Sequence, residues 1–334
     1  MKIAVFSAKS YDIEYLTPES EQFGYVPEFF EVSLNRRTAK LAAGADAVCA
    51  FVNDKLNRDT LTALSELKIG LVVLRCAGFN NVDLEAASEL GIRIMRVPAY
   101  SPHAVAEHAV ALILSLNRKT HKAYNRVRDA NFSLERLVGF DLEKKTVGLI
   151  GTGKIGQVFA EIMMGFKCNI IAYDPYPNNA LKEKGVTYLS KEEVFEKTDI
   201  LSLHCPLTPE TFQIVNKQTL ELMKKGAMLI NTSRGKLIKT DDVIEALREK
   251  QLGFLGIDVY AEEEKLFFRD LSEHIIDDEK IMQLMAFPNV LITAHQGFLT
   301  KEALNEIAAT TMQNISAYSK GETNENEVTV EMVA

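Results

Sequence analysis

Two doubly wound parallel α/β domains, one larger than the other, are what the sequence predicts, and three observations carry that reading. Short β-branched runs alternate with helical stretches along almost the whole chain, the pattern of strands joined by crossover helices. The strand runs are apolar nearly throughout, so the sheets are covered on both faces. They also fall into two series, about four runs in the first hundred residues and seven later.

The first series reads KIAVFSA, DAVCAFV, LVVLRCA and IRIMRVPA, with DLEAASELG as a short helix ended by Gly91. After Pro98 comes a long helix over about 101–118, for which Ser101 and Pro102 suit the N-cap and first turn. The second series reads TVGLI, NIIAYD, VTYLS, ILSLHC, AMLINTS, FLGIDV and VLITA. No repeat of fixed period and no long Pro/Gly/Ser linker intervenes, so the division falls in helices or short loops. A length of 334 residues, at roughly 150 per domain, agrees with two domains. One stretch, AEEEKLFFRDLSEHIIDDEK, is acidic and long for a connection. It lacks the Asp/Asn/Gly pattern of a calcium loop and reads as a solvated face. The tail GETNENEV reads as frayed.

Composition excludes several function classes. With 38 Lys and Arg against 46 Asp and Glu, the net charge of −8 argues against a nucleic-acid-binding surface. Cys49, Cys76, Cys168 and Cys205 are scattered, with no CxxC pair and no Cys/His cluster at zinc spacing. They read as free thiols, three of them in apolar runs, and no metal is expected. MKIAVFSA is a strand and not a secretion signal. The most apolar helix, over 104–116, is interrupted by Glu107 and His108 and does not span a membrane. A cytoplasmic globular protein is the expectation.

Gly151-Thr152-Gly153-Lys154-Ile155-Gly156 is a G-x-G-x-x-G directly after TVGLI, opening the predicted helix QVFAEIMMGF. Glycines there allow a tight turn, close approach of backbone amides to a pyrophosphate, and close helix–strand packing, while the helix N-terminus adds partial positive charge. The next strand ends at Asp174, eighteen residues after Gly156, and no Arg follows in DPYPNN. An acid there accepts from ribose hydroxyls and repels a 2′-phosphate, so NAD is favoured over NADP. Arg234, Glu263 and His295 each follow a strand of the second series, and the carboxyl ends of strands line the ligand crevice of such sheets. A His suits proton donation to a developing alkoxide, a neighbouring carboxylate keeps it charged, and Arg suits a bidentate hold on a substrate carboxylate. Taken singly, each of the three is more often a structural residue, and it is their joint placement that points to a site.

In order, RCAGFNNVD, RVPAYSPHAVAEHAV, GTGKIG, LHCPLT, NTSRG, and GIDVYAEE followed by AHQGF resemble the D-isomer-specific 2-hydroxyacid dehydrogenase family. RCAGFNNVD, DANFSL and HQGFLT are most similar to its fermentative bacterial D-lactate branch, and the likeness runs to about residue 314. The resemblance implies a flavodoxin-like substrate domain of residues 1–100 plus 299–334. It also implies an inserted Rossmann NAD-binding domain of residues 101–298, with the helix from 101 crossing the hinge. It places the catalytic Arg, Glu and acid/base His on Arg234, Glu263 and His295. Within EEE, Glu263 is chosen by the family spacing of five residues after Asp258, with Glu262 and Glu264 as alternatives. Ala77 and Gly78 would present amides to the substrate carboxylate with Tyr100 close by, and Phe51 and Phe298 would wall the methyl group of pyruvate. The cofactor would meet Gly151, Gly153, Lys154, Ile155 and Gly156 at the pyrophosphate and Asp174 at the ribose. Cys205, Pro206, Thr211, Thr232, Ser233 and Asp258 would line its adenine and nicotinamide portions. Leu299 stands where some relatives carry an aromatic, which leaves open the size of 2-keto acid accepted. The implied activity is reversible NADH-dependent reduction of pyruvate to D-lactate by a homodimer or homotetramer. A dehydrogenase of another short 2-keto acid and an NAD-sensing corepressor-like binding protein share these residues and remain open.

Overall fold

Every ladder between strands is parallel, because a helix or 3-10 turn carries the chain back after each one. The computed structural model describes residues 1–332. The chain forms two compact units: Met1–Ser101 together with the chain from Leu299 onward, and Pro102–Phe298.

The first unit opens with β1 (Lys2–Val5), α1 (Ser10–Gln22), β2 (Val26–Phe29) and β3 (Ala47–Ala50). It continues with α2 (Arg58–Glu66), β4 (Leu71–Leu74), α3 (Leu84–Glu89) and β5 (Arg93–Arg96). Asn57 and Asp83 start α2 and α3 by accepting backbone N–H bonds from the first turn. The sheet order is β2-β1-β3-β4-β5, the flavodoxin-like arrangement. This sheet has one strand more than the sequence suggested. β2 lies at the edge, contains Pro27 and is only partly buried, so it lacks the apolar run that marks its neighbours; an edge is where a strand tolerates proline.

The second unit contains α4 (Pro102–Arg118), α5 (Thr120–Arg128), β6 (Thr146–Ile150), α6 (Lys154–Gly165) and β7 (Asn169–Tyr173). Next come α7 (Asn179–Glu183), β8 (Thr187–Tyr188), α8 (Lys191–Lys197), β9 (Ile200–Leu203) and α9 (Lys217–Leu222). It ends with β10 (Ala227–Asn231), α10 (Thr240–Arg248), β11 (Leu252–Ile257), α11 (Glu279–Ala286) and β12 (Val290–Ile292). Its seven strands run β12-β11-β10-β9-β6-β7-β8, so strand order reverses between β6 and β9. α4 lies against β10 and β11 with Ala106, Ala109, Leu112, Ile113 and Leu116 buried. Gly256 on β11 permits that approach, since a Cβ there would meet Leu112 and Leu116 at 3.3 and 3.1 Å.

The chain then returns to the first unit as α12 (Lys301–Ser319), which packs with α1. Ala308, Met312 and Ile315 cover Ile3, Val5, Leu71 and Val73. The segment after α12, expected to fray, is instead tied down. Val328 N–H donates to Ile94 O at 2.8 Å, Arg96 N–H donates to Asn326 O at 3.0 Å, and Glu327 pairs with Arg93 at 2.5 Å. Asn324 and Asn326 both donate to Asn314 Oδ1. These polar residues look like a solvated tail in sequence, but here they complete the open edge of β5. Among the described residues, no helix is long and apolar enough to cross a membrane.

A buried ion pair anchors the carboxyl ends of the first sheet. Arg75, 2% exposed, donates from Nε to Asp12 Oδ1 at 2.9 Å and from its terminal nitrogens to the Phe6 and Ser7 carbonyls, both at 2.9 Å. Its guanidinium lies 4.7 Å from the Phe51 ring centre. Removing one partner of such a pair strands a buried charge and costs roughly 3–5 kcal/mol. Asp12→Asn therefore lowers the thermal midpoint by several degrees in scanning calorimetry; a variant that melts with the wild type would show that Arg75 is held by the carbonyls alone.

Candidate active site

Reversal of strand order between β6 and β9 leaves a crevice at their carboxyl ends, and the glycine loop fills one side of it. The three glycines are needed for three different reasons. Gly151 has φ +97°, and a Cβ there would lie 2.6 Å from the Cys205 amide nitrogen, so the loop after β6 rests directly on the loop after β9. Gly156, on the first turn of α6, packs on the Gly151 carbonyl with no room for a side chain. Gly153 is the N-cap of α6 and has no protein atom within 4 Å of its Cβ position. Its open face, beside exposed Lys154 and half-buried Ile155, is where a pyrophosphate can approach the helix N-terminus.

Asp174, just past β7, is held in place by this loop. Its Oδ2 accepts from Thr152 N at 2.6 Å and Thr152 Oγ1 at 2.9 Å, and its Oδ1 accepts from Tyr176 N at 2.8 Å. Tyr188 OH in turn donates to Thr152 Oγ1 at 3.0 Å. A carboxylate has about four acceptor positions, so acceptor capacity remains for a ribose hydroxyl. Across the crevice, Ser233 Oγ donates to Cys205 O at 2.7 Å, and Thr211 Oγ1 donates to Pro206 O at 2.7 Å. Burial pushes the Cys205 thiol up to about 11, so it is a neutral wall. Thr232 Oγ1 is buried with no hydrogen-bond partner, a polar atom that a ligand amide would satisfy. A glycine cradle, a spare carboxylate acceptor and an orphaned hydroxyl together fit a dinucleotide.

His295 and Glu263 meet at the carboxyl end of the same sheet. His295 Nδ1 lies 2.9 Å from Glu263 Oε1, while Glu263 Oε2 accepts from Tyr260 N at 2.9 Å. Both carboxylate oxygens are thus engaged, and neither Glu262 nor Glu264 takes this place. Tyr260 OH donates to Asp278, the N-cap of α11, at 2.9 Å, which pins the base of the acidic stretch. That stretch is therefore more than a solvated face: Glu263 faces His295 from one side, and the Phe268 ring centre lies 6.0 Å from its imidazole. Arg234 follows β10, donates to Ser233 O at 2.8 Å and is half-buried. The next residue, Gly235, packs on the Tyr260–Ala261 backbone so closely that no Cβ would fit, which brings the Arg234 turn against the segment leading to Glu263.

Asp258, at the end of β11, organises the loop that carries His295. Its carbonyl accepts from His295 N at 2.7 Å, its Oδ1 from Gln296 N at 2.9 Å and its Oδ2 from Gly297 N at 2.8 Å. Thr293 Oγ1 donates to Oδ1 at 2.5 Å, and His108 Nε2 is 3.3 Å from the same oxygen. Burial alone would push this carboxyl up. Bonds from His108, Thr293 and Gln296 outweigh it and hold Asp258 below the ordinary carboxylate range.

The model for the D-isomer specific 2-hydroxyacid dehydrogenase NAD binding domain matches residues 110–297. The D-lactate dehydrogenase of Escherichia coli K12 is 52% identical over 328 residues, 98% of this chain and 100% of that protein. The chain belongs to the D-isomer-specific 2-hydroxyacid dehydrogenase family. Among solved structures, Salmonella D-lactate dehydrogenase aligns with a TM-score of 0.88 at 51% identity, covering 98% of this chain and 100% of that one. The pyruvate reductase of Chlamydomonas reinhardtii aligns with a TM-score of 0.94 at 44% identity, covering 98% of each.

Of the residues that this family resemblance singles out, Phe298 is buried in the second unit. Phe51, Ala77, Gly78 and Tyr100 belong to the first unit, where Phe51 lies on Arg75. Arg96 donates to the Ala77 carbonyl at 2.9 Å, and in a trans peptide the Gly78 N–H points the opposite way. His108, Thr293 and Phe268 stand at the dehydrogenase site although sequence reasoning passed over them. His108 looked like an interruption of an apolar helix, and nothing in the sequence marks the other two.

Because Asp258 is depressed below its usual 3.8, its contribution to stability is complete above the ordinary Asp range and is lost as pH falls through the lower folded value. Asp258→Asn lacks this titration. The wild type should exceed it in stability by about 2 kcal/mol at pH 6, and the difference should shrink below about pH 4. Urea unfolding at several pH values measures this; a constant difference would mean that Asp258 is not charged in the fold.

Proposed function

We propose that this dehydrogenase reversibly reduces pyruvate to D-lactate with NADH. The observation that carries the reading is the His295–Glu263 pair, 2.9 Å apart, on the sheet that also presents the glycine loop and Asp174. When bound, NADH supplies the hydride that the carbonyl carbon receives. His295 supplies the proton for the oxygen. With Nδ1 donating to Glu263 Oε1, its Nε2 is the nitrogen left for substrate, and Glu263 balances the positive charge of the donating form. Arg234 offers the planar fork that matches a carboxylate. Ala77, Gly78, Tyr100, Phe51 and Phe298 are assigned to the substrate carboxylate and methyl group on the strength of the family motifs. Asp174, fixed by two bonds from Thr152, favours NADH because its charge opposes a 2′-phosphate. The relatives named above as D-lactate dehydrogenases and pyruvate reductase support the choice of substrate.

The protein is further proposed to act in the cytoplasm, where its four free cysteines stay reduced, and to self-associate. α5 buries none of its own residues, and Tyr124, Val127, Phe132, Leu134 and Val138 are all more than half exposed. Five large apolar side chains left exposed along one stretch of chain call for a partner surface, and a second copy of the chain is the proposed one. Sedimentation velocity should show a dimer or tetramer, with Leu134→Glu and Val138→Glu together shifting it toward monomer; a monomeric wild type would refute the association.

Turnover is tested by NADH consumption with pyruvate and chiral analysis of the product. D-lactate is expected, and L-lactate or no turnover would end the reading. Glu263→Gln keeps the shape but removes the charge, and should lower kcat by about a hundredfold with the KM for NADH within twofold. An unchanged kcat would mean that the carboxylate charge has no part in the proton transfer.

A further inference from the structure

His295 sits in the left-handed region, at φ +55°. That conformation is uncommon and unfavourable for a non-glycine residue, and it persists only when the surroundings impose it. Here the constraint is visible, because the amides of residues 295, 296 and 297 are all bound to Asp258, one to its carbonyl and two to its carboxylate. Whatever fixes the Asp258 side chain therefore fixes the backbone that aims the His295 imidazole.

Hydrogen bonding shows what fixes it. Thr293 Oγ1 lies 2.5 Å from Asp258 Oδ1, and an ionised carboxylate only accepts, so Thr293 donates its one hydroxyl proton there. Its oxygen also lies 2.9 Å from His108 Nε2. Having no second proton, Thr293 must accept, so His108 carries its hydrogen on Nε2. The polarity thus runs one way, from His108 on α4 through Thr293 after β12 to Asp258 after β11, and then to the three amides. Gly297 is part of the same contact: a Cβ there would lie 3.0 Å from Asp258 Oδ2 and 3.6 Å from His108 Cδ2, so the loop rests directly on this pair. His108 is mostly buried, with 15% of its side chain exposed.

We propose that His108 is a positioning residue for the acid/base His295, acting on Asp258 directly and through Thr293 to hold the 295–297 loop in its left-handed conformation. The inference rests on the reading of His295 as the proton donor. His108 touches neither the His295 ring nor Glu263 by any bond described above; its effect is on geometry. Its donation keeps Thr293 directed at Asp258 and places an N–H 3.3 Å from Oδ1. Without it, the threonine hydroxyl has other rotamers available, and the carboxylate can turn away from the Gln296 and Gly297 amides. A loop released by even a fraction of an ångström misplaces a proton donor, and the loss appears in turnover more than in binding.

The test uses the full-length protein and the variants His108→Leu, Thr293→Val, their double variant and His108→Gln, each first shown by its melting curve to be folded. Wild-type turnover of pyruvate checks the underlying reading, and the variants are compared only against that rate. Each single variant should lower kcat roughly ten- to a hundredfold, with the KM for NADH within threefold. Because both residues bond to the same Asp258 oxygen and to each other, the double variant should lose less than the product of the two single losses, a non-additivity expected of coupled positions. His108→Gln, which keeps an N–H near the Nε2 position, should recover kcat to within about fivefold of wild type. A readout independent of turnover is hydrogen exchange of the cofactor-free protein, in which the 295–297 amides should exchange at least tenfold faster in either single variant. The proposal is overturned by singles whose kcat stays within twofold, by losses that multiply in the double variant, or by a rise confined to the KM for NADH. Unchanged exchange at 295–297 would overturn it as well. Should His108→Leu fail to fold, Thr293→Val, which is nearly isosteric, carries the same turnover and exchange comparison alone.

Discussion

The Asp258 carboxylate is the constraint on which the active site depends. It is 1% exposed, and a charge so deeply buried is sustained only by bonds that replace its water. It is met by the Thr293 hydroxyl, the His108 imidazole and two successive backbone amides. Those donors come from three parts of the second unit: the long helix, the end of the last strand, and the loop after it. Satisfying one buried carboxylate therefore draws three segments together and sets the position of His295 as a consequence. A hydrophobic residue at 258 could pack in the same space, but it would leave the Gln296 and Gly297 amides unpaired and the left-handed His295 held only by the carbonyl of residue 258.

A similar logic orders the other half of the site. Gly151 and Gly156 bring the loop after β6 into backbone contact with the loop after β9 and with the start of α6, while Gly153 faces no protein atom. The cofactor surface is thus made of backbone at the place where strand order reverses, with Thr152 directing Asp174 toward it. Strands end there, so the amides and the carboxylate are set on the frame of the sheet. The Glu263 segment is built differently, as an irregular stretch held at Tyr260 by Asp278 and at its tip by His295 itself. Its acidity is mostly solvated, and one carboxylate of the series turns inward to meet His295.

The first unit repeats the device of a buried ion at strand ends. Arg75 satisfies the carbonyls of Phe6 and Ser7 and the carboxylate of Asp12, and it supports the Phe51 ring. The RCAGFNN motif thus owes its first residue to architecture, whereas Ala77 and Gly78, which follow, have their carbonyls turned aside by Arg96 and Cys76.

The sequence by itself determined the class of fold, the seven strands of the larger sheet, the glycine loop and the acid after β7. These are local signals: apolar runs, glycine spacing and residue type act over a few positions along the chain. β2 escaped because Pro27 and an exposed edge erase the apolar pattern, and GETNENEV looked like a frayed end because polar residues that bond to a distant strand resemble those that bond to water. Thr293 and Phe268 carried no mark at all, and His108 showed only as a polar break in an apolar helix. His108 and Thr293 are 185 positions apart, and their relation exists only after α4 and β12 are packed in the same unit. Which glutamate of EEE meets His295 was likewise decided by the path of an irregular loop, where no periodicity constrains which side chain turns inward. Local chemistry selects the elements; only packing decides which buried charges must share partners, and that sharing is what places His295.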